Sequence, residues 1–194
     1  GFGASGANDG EFARERSATA DAGKLFGIHA GEVDSSDINS ALDLGPDFLV
    51  HMVHPEPLHL ERLADSETPV VACPRSNAAT NVGLPPLREL LDRTTVALGT
   101  DNVMLNGPSM FREMEFTAKL LDVSTVEVLG MATVNGAEIA GLNCGLIEPG
   151  RDAEVLVLDG GSDNLADAKD PRRAVVRRAG VADVKKVVRA SETE

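Results

Sequence analysis

The fold of this chain is decided by the stretch GIHAGE, residues 27–32, where an apolar run ends on a polar, titratable side chain. The same pattern returns in LVH, residues 49–51, and in LGTD, residues 98–101. Short apolar runs of this kind are typical of strands that are buried in a parallel sheet. Because the carboxyl ends of parallel strands meet at one edge, we expect the polar residues that end these runs to lie close together.

Apolar runs alternate with helical segments from residue 10 to residue 140. The pattern predicts strands over residues 24–29, 47–52, 69–73 and 95–100 and helices over 10–22, 35–43, 56–65, 86–92 and 109–121. A further helix is predicted from Ser124, where Glu127 completes a capping box, to about Ala140, with a break near 134–136. Four βα units at this spacing indicate an α/β fold, either half of an eight-stranded barrel or an open sheet.

Outside the alternating segments, the sequence predicts loops and a separate C-terminal part. The loops are predicted over residues 1–9 and 74–85, and residues 145–194 are predicted to form a small β-rich appendage. Within the appendage, strands are predicted over 153–158, 174–178 and 185–189, and residues 191–194 are expected to fray. We therefore predict two parts, 1–144 and 145–194.

The composition limits the classes of partner. The 194 residues include 31 Asp and Glu against 18 Lys and Arg, which gives a net charge of -13. This charge disfavours nucleic acids and anionic membranes, and we expect a small-molecule ligand instead. The acidic excess with few lysines also predicts adaptation to high salt, which a stability maximum in KCl below physiological ionic strength would contradict. An ordinary acidic cytoplasmic enzyme is the alternative.

Three further features of the sequence concern membrane spans, disulfides and the start of the chain. No apolar run approaches the roughly 20 residues that span a bilayer, and Cys73 and Cys144 are too few for a disulfide framework. The sequence begins with Gly1, and its first methionine is Met52. We expect a fragment, a cleaved chain or a truncated reading frame.

Histidines and carboxylates at neighbouring strand ends suit a divalent metal. Zinc accepts neutral imidazole nitrogen and carboxylate oxygen, and a catalytic zinc site leaves one position for water. The metal makes that water acidic enough to supply a hydroxide nucleophile, while a nearby carboxylate can carry a proton to the leaving group. Glu32, three residues after His29, is placed to be this carboxylate. His51 either orients the hydroxide or binds the metal.

Four motifs stand in order along the chain: His29-x-x-Glu32, His51 followed by His54, CPRSN at residues 73–77, and GTDN at residues 99–102. Together they resemble the amidohydrolase superfamily, in its branch of aminohydrolases and chlorohydrolases related to cytosine, guanine and S-adenosylhomocysteine deaminases. Downstream, MATVNGAEIAGL and GLIEPGRDAEVLVLD look like that family's closing helix and C-terminal β-sandwich. The implied fold is the C-terminal half of a (β/α)8 barrel, strands five to eight, followed by part of a β-sandwich.

The resemblance also implies roles for single residues. His29 and Asp101 would bind one divalent metal, zinc or alternatively iron. Glu32 would shuttle the proton, His51 would position the water, and Asp101 would also act as a base. Substrate binding is implied for four residues: Glu32, Asp101, Ser76 and Asn77. For Ser76 and Asn77, hydrogen bonds that cap the loop are an equal alternative.

The remaining histidines and cysteines have no implied catalytic role. His54 is expected in a loop or behind the site, and His59 on a helix surface. We expect Cys73 to be a buried strand-end residue and Cys144 to be structural.

One departure from the family leaves two functions open. The family's metal site also uses a His-x-His pair on strand one, and none of the four histidines here forms such a pair. The first possibility is the C-terminal half of a metal-dependent aminohydrolase that deaminates a nucleobase-like or other nitrogen heterocycle. The second is a non-catalytic fragment, or a subunit that needs a separate N-terminal half. Homo-oligomer formation is a further possibility, and the His-x-x-Glu motif disfavours amide or cyclic-imide hydrolysis by a binuclear site.

Overall fold

A five-stranded parallel sheet forms the centre of the computed structural model, which describes residues 1–190. The strands lie in sequence order: β1 Phe2–Ala4, β2 Phe26–Ala30, β3 Phe48–His51, β4 Val70–Ala72 and β5 Val96–Leu98. The four predicted strands are confirmed within a few residues. The predicted fraying of residues 191–194 lies outside the described part of the chain.

Helices follow each of these strands. They are α1 Ala13–Asp21, α2 Ile38–Asp43, α3 Pro57–Ser66, α4 Pro74–Ala79, α5 Leu87–Leu91, α6 Met110–Leu120, α7 Thr125–Ala132, α8 Val134–Ile139 and α9 Pro171–Arg178. A separate antiparallel pair, β6 Val155–Leu158 and β7 Val184–Val188, confirms two of the three strands predicted in the appendage. None of the helices in residues 1–190 is long and apolar enough to cross a membrane.

The prediction of a loop over residues 1–9 is wrong for β1. Phe2 pairs in parallel register with Phe26, and the two rings stack with centroids 6.0 Å apart. A three-residue strand with a central glycine is too short to show a period of two. Its partner strand, which is distant in sequence, determines its conformation.

Two further segments are helical where the sequence predicted otherwise. Residues 74–79 form α4, with Pro74 in the first turn, where its missing N–H costs no hydrogen bond. Residues 174–178 belong to α9 and are not a strand, because the Asp170 side chain accepts a hydrogen bond from the Arg173 N–H (3.1 Å) and Pro171 follows the cap. The small residues of α4 and the valines of α9 do not by themselves distinguish a helix from a loop or a strand. In both segments a proline in the first turn marks the start of a helix.

The main core lies on one face of the sheet. Alternate strand residues point to opposite faces, and one face packs against helices through Phe26, Ile28, Ala30, Leu49, Val70, Ala72, Val96 and Leu98. His29 stands on the other face, which is only partly covered around Val50 and Val71. Helix α9 packs against α6 and α7, and its Val176 belongs to the main core. The division at residue 144 stays a prediction.

The start of α7 carries a strongly perturbed carboxylate. Ser124 and Glu127 form the predicted capping box, with N–H···O distances of 2.7 and 3.2 Å. The two terminal nitrogens of Arg88 donate to Glu127 at 2.9 and 3.0 Å. The hydrogen bonds from Arg88 and Ser124 lower the pKa of Glu127 to about 2.

We expect Glu127 to make the free energy of unfolding depend on pH in the acidic range. Because its pKa is lowered in the folded state, its contribution is complete above the ordinary value of 4.5 and is lost as pH falls toward about 2. Urea unfolding at stepped pH should therefore show a smaller loss of stability in this window for Glu127→Gln than for the wild type. Glu115→Gln, which removes a carboxylate paired with Lys119 on α6, is the control. Equal acid dependence in the wild type and in Glu127→Gln would contradict the assignment.

Candidate functional site

His29, Glu32 and His51 converge at the carboxyl edge of the sheet. One possible ligand atom from each lies within 4.8 Å of those from the other two. His51 Nε2 is 3.4 Å from Glu32 Oε2, and the His29 and His51 rings meet edge to face with centroids 4.7 Å apart. The parallel register that pairs Ala30 with His51 places these groups side by side. The structure therefore brings together three of the residues singled out by the sequence.

Gly31 joins the ends of β2 and β3. Its carbonyl accepts hydrogen bonds from the N–H groups of Val53 (2.9 Å) and His54 (3.0 Å), and its own N–H donates to Asp37 Oδ1 at 2.8 Å. Its φ is +62°, and a Cβ would lie 2.7 Å from Ile38 Cδ1. Glycine suits this position because a side chain would be strained at this φ and its Cβ would crowd the Ile38 side chain.

Two of the candidate residues have unusual backbone conformations. His51 has φ 78° and Asp101 has φ 55°, and Met52 follows with φ 49°. Positive φ is uncommon for residues with a side chain and costs roughly 1–3 kcal/mol at each position. Such strain is concentrated at functional sites, where it aims a side chain that regular strand geometry would direct elsewhere.

Burial and neighbouring charges set the protonation states. Burial, with His29 nearby, lowers the pKa of His51 to about 4, so His51 is neutral at neutral pH. Burial raises the pKa of Glu32, with the Asp101 charge adding to this effect and His29 opposing it. A carboxyl group with a raised pKa is suited to accepting and releasing a proton.

Asp101 lies near this cluster without being one of its three members. Its charge acts on both Glu32 and His51, but within residues 1–190 the set with mutually close ligand atoms is His29, Glu32 and His51. Ser76 Oγ donates a hydrogen bond to Asp101 Oδ2, which leaves Oδ1 for another partner.

A cavity of about 270 Å³ opens onto His29 and Glu32. The loops after β1 and β2 supply its other walls: Ser5, Gly6, Asn8, Asp9, Val33, Asp34, Ser36 and Asp37. These walls are polar and acidic, and the volume is close to the lower limit of small-molecule sites, about 300 Å³.

A model of the amidohydrolase family matches residues 11–193. The chain belongs to the amidohydrolase family. It is 43% identical over 141 residues to an uncharacterized protein of Methanocaldococcus jannaschii, a match that covers 66% of this chain and 37% of that protein. It is 38% identical over 136 residues to the 5-methylthioadenosine/S-adenosylhomocysteine deaminase of Haloarcula marismortui, covering 65% of this chain and 32% of that protein.

A solved structure shows the same fold. The crystal structure of a zinc-bound adenosine deaminase from Xanthomonas campestris superposes with a TM-score of 0.84 at 22% identity, covering 97% of this chain and 49% of that chain. The α/β architecture with a parallel sheet is thus one found in the amidohydrolase family. The chain spans between about a third and a half of the length of these three relatives. Its assignment to strands five to eight stays a prediction.

The donor atoms of this amidohydrolase site fit a divalent metal. His29 offers an imidazole nitrogen and Glu32 a carboxylate within 4.8 Å of each other and of His51, and Asp101 adds negative charge. Neutral imidazole and carboxylate are the ligands that zinc and iron use in proteins. The roles of single residues stay predictions.

Ser76 and Asn77 support the site from behind. Both are fully buried on α4. Ser76 contacts Asp101, and Asn77 Nδ2 lies 3.0 Å from His51 Nδ1. Substrate binding by these two residues stays a prediction, and the structure shows them in contact with Asp101 and His51. The sequence signal for these contacts was two adjacent polar residues in the first turn of a helix that begins with proline.

A buried ion pair that sequence reasoning missed fixes the start of α4. Glu113 of α6 is fully buried, and its Oε1 is 3.1 Å from Arg75 Nη1. Arg75 Nη2 also donates to Asn106 Oδ1 at 3.2 Å, in the loop that follows Asp101. Burial raises the pKa of Glu113, and Arg75 opposes this rise. The pair joins α4, α6 and the loop beside Asp101.

The remaining histidines lie outside the cluster. His54 Nε2 is 2.7 Å from the Val82 carbonyl oxygen, in a loop as predicted. The prediction that His59 is a surface residue is wrong: it is 4% exposed, with Nδ1 3.0 Å from the Glu56 N–H and Nε2 3.1 Å from Asn39 Nδ2. It faces α2 because α3 packs on that helix.

Cys73 is buried at its strand end as predicted, and burial raises the pKa of its thiol to about 12.

Proposed function

We propose that this chain carries part of the active site of a metal-dependent aminohydrolase. The enzyme would replace an amino group on a nitrogen heterocycle with oxygen from water and release ammonia. The observation that carries the proposal is the convergence of His29, Glu32 and His51 at the strand ends, with Glu32 Oε2 3.4 Å from His51 Nε2. Membership of the amidohydrolase family and relatives named as deaminases support it.

In this proposal His29 and Asp101 hold the metal, zinc with iron as the alternative. When bound, the metal supplies a water molecule acidic enough to lose a proton near neutral pH. Glu32 accepts that proton and delivers it to the leaving nitrogen, so that a carbon–oxygen bond forms, the carbon–nitrogen bond breaks and ammonia leaves. His51 holds the attacking oxygen, and Asp101 acts as a further base.

The proposed substrates are adenosine derivatives. The Haloarcula marismortui relative is named for 5-methylthioadenosine and S-adenosylhomocysteine, and the cavity beside His29 is open to a small molecule. Ammonia release should be measured for these two compounds, adenosine, cytosine and guanine, with the purified chain and with any longer product of its coding region. We expect the adenosine derivatives to react fastest. A preference for cytosine or guanine would contradict this substrate class.

A second candidate is a subunit that works only with a complementary N-terminal half. Within residues 1–190, the outer edges of β1 and β5 have no partner strand, and the face that carries His29 is only partly covered. The chain also spans at most about half of its relatives. Stoichiometric, tight zinc binding by the isolated chain would contradict this candidate. Homo-oligomer formation, a cytoplasmic location and adaptation to high salt stay predictions from the sequence.

A further inference from the structure

The His51 ring is enclosed between two polar side chains. The residue is 1% exposed. Glu32 Oε2 lies 3.4 Å from its Nε2, and Asn77 Nδ2 lies 3.0 Å from its Nδ1. These two neighbours decide which ring nitrogen carries the proton, because a neutral imidazole donates from one nitrogen and accepts at the other.

The two contacts favour the same tautomer. A carboxylate oxygen beside Nε2 favours a proton on that nitrogen, since a lone pair there would face the negative oxygen. Nδ1 is then an acceptor, and the Asn77 amide N–H is the donor that meets it. The opposite orientation of the Asn77 carboxamide would place its oxygen against Nδ1. Nδ1 would then carry the proton, and the lone pair on Nε2 would face the Glu32 oxygen, which is unfavourable.

We propose that Asn77 is a positioning residue that holds His51 with its proton on Nε2. In this tautomer His51 presents an N–H donor at Nε2, on the side where Glu32 lies. This inference rests on the proposed function, in which His51 holds the attacking oxygen, and deepens it by naming the residue that orients the His51 ring.

Asn77 is fully buried, and among residues 1–190 its side chain makes a hydrogen bond with His51. Buried polar side chains in folded proteins generally make hydrogen bonds, so this contact accounts for a carboxamide at this position.

The tautomer can be read directly from the ring nitrogens by NMR. The purified chain, labelled with ¹⁵N, contains only four histidines, and a His51→Gln variant identifies the signals of His51. At neutral pH we expect the wild type to show a protonated Nε2 and an unprotonated Nδ1. An unprotonated Nε2 in the wild type would overturn the proposal, whether or not any variant folds.

Two substitutions test the cause. An ionised carboxylate in Asn77→Asp offers only acceptors, so Nδ1 should gain a proton at a pH where the new carboxyl is charged. Asn77→Leu offers no donor to Nδ1 and leaves the Glu32 contact in place, so the share of the Nε2-protonated tautomer should fall. Asn39→Leu is the matched control, because it removes an equivalent amide contact with His59 and should leave His51 unchanged. An Asn77→Asp protein that keeps Nδ1 unprotonated would refute the role of Asn77. The measurement uses neither substrate nor metal, so a failure of the deaminase proposal would not alter its result.

Discussion

Replacing Glu32 with glutamine should slow ammonia release by roughly 100- to 10,000-fold, the usual contribution of a positioned general acid–base. Glutamine keeps the size of the side chain but cannot accept a proton at the attacking water. Burial raises the pKa of Glu32, which keeps the carboxyl group able both to take and to release a proton. The rate should be measured in the preparation that deaminates an adenosine derivative.

Asp34→Asn is the matched control for this substitution. Asp34 lies two residues further along, is exposed, and lines the same cavity. It should leave the rate nearly unchanged, and zinc affinity should also change little in Glu32→Gln, since we assign the metal to His29 and Asp101. A Glu32→Gln protein with wild-type activity would remove Glu32 from the mechanism, whereas a large loss of zinc would make it a ligand.

Replacing His29 with alanine should weaken zinc binding by at least about 100-fold. Changes to groups that merely hydrogen-bond to metal ligands already cost about 10- to 100-fold, and His29 is assigned as a ligand itself. Competition with a chromophoric chelator measures the affinity directly and does not depend on substrate. We expect zinc affinity to fall because His29 lies on the sheet face away from the main core, where its ring nitrogen is close to Glu32 and His51.

The control for this measurement is His54→Ala. His54 also follows a strand end, but its Nε2 contacts the Val82 carbonyl oxygen at 2.7 Å, away from the cluster. Zinc affinity should remain at the wild-type level in this variant. Equal losses in His29→Ala and His54→Ala would indicate that zinc is bound non-specifically by these half-buried histidines.

The sheet and the cluster were predictable because their signals are local. Each apolar run ends on its polar residue within the same few positions, and parallel pairing brings such ends to one edge. The structure brings His29, Glu32 and His51 together, whereas Asp101, which was expected to join them, lies nearby without being a member of the set. The capping box at Ser124 is also local, and the structure contains it.

What the sequence did not reveal depends on contacts between distant segments. β1 becomes a strand because Phe26 is available to pair with it, and His59 is buried because α2 covers it. In the sequence, Glu113 cannot be distinguished from a solvent-exposed glutamate of a helix. Its ion pair with Arg75, which is distant in sequence, becomes visible only in the folded chain. The contact between Asn77 and His51 likewise arises only when α4 folds behind β3.

Ammonia release in ¹⁸O-labelled water tests the central claim most directly. The account predicts that zinc-loaded protein containing this chain releases one ammonia for each adenosine derivative consumed. It also predicts that the product carries one ¹⁸O at the carbon that lost nitrogen. Stoichiometric zinc binding without ammonia release from any compound tested, or a product free of ¹⁸O, would contradict hydrolytic deamination at this site.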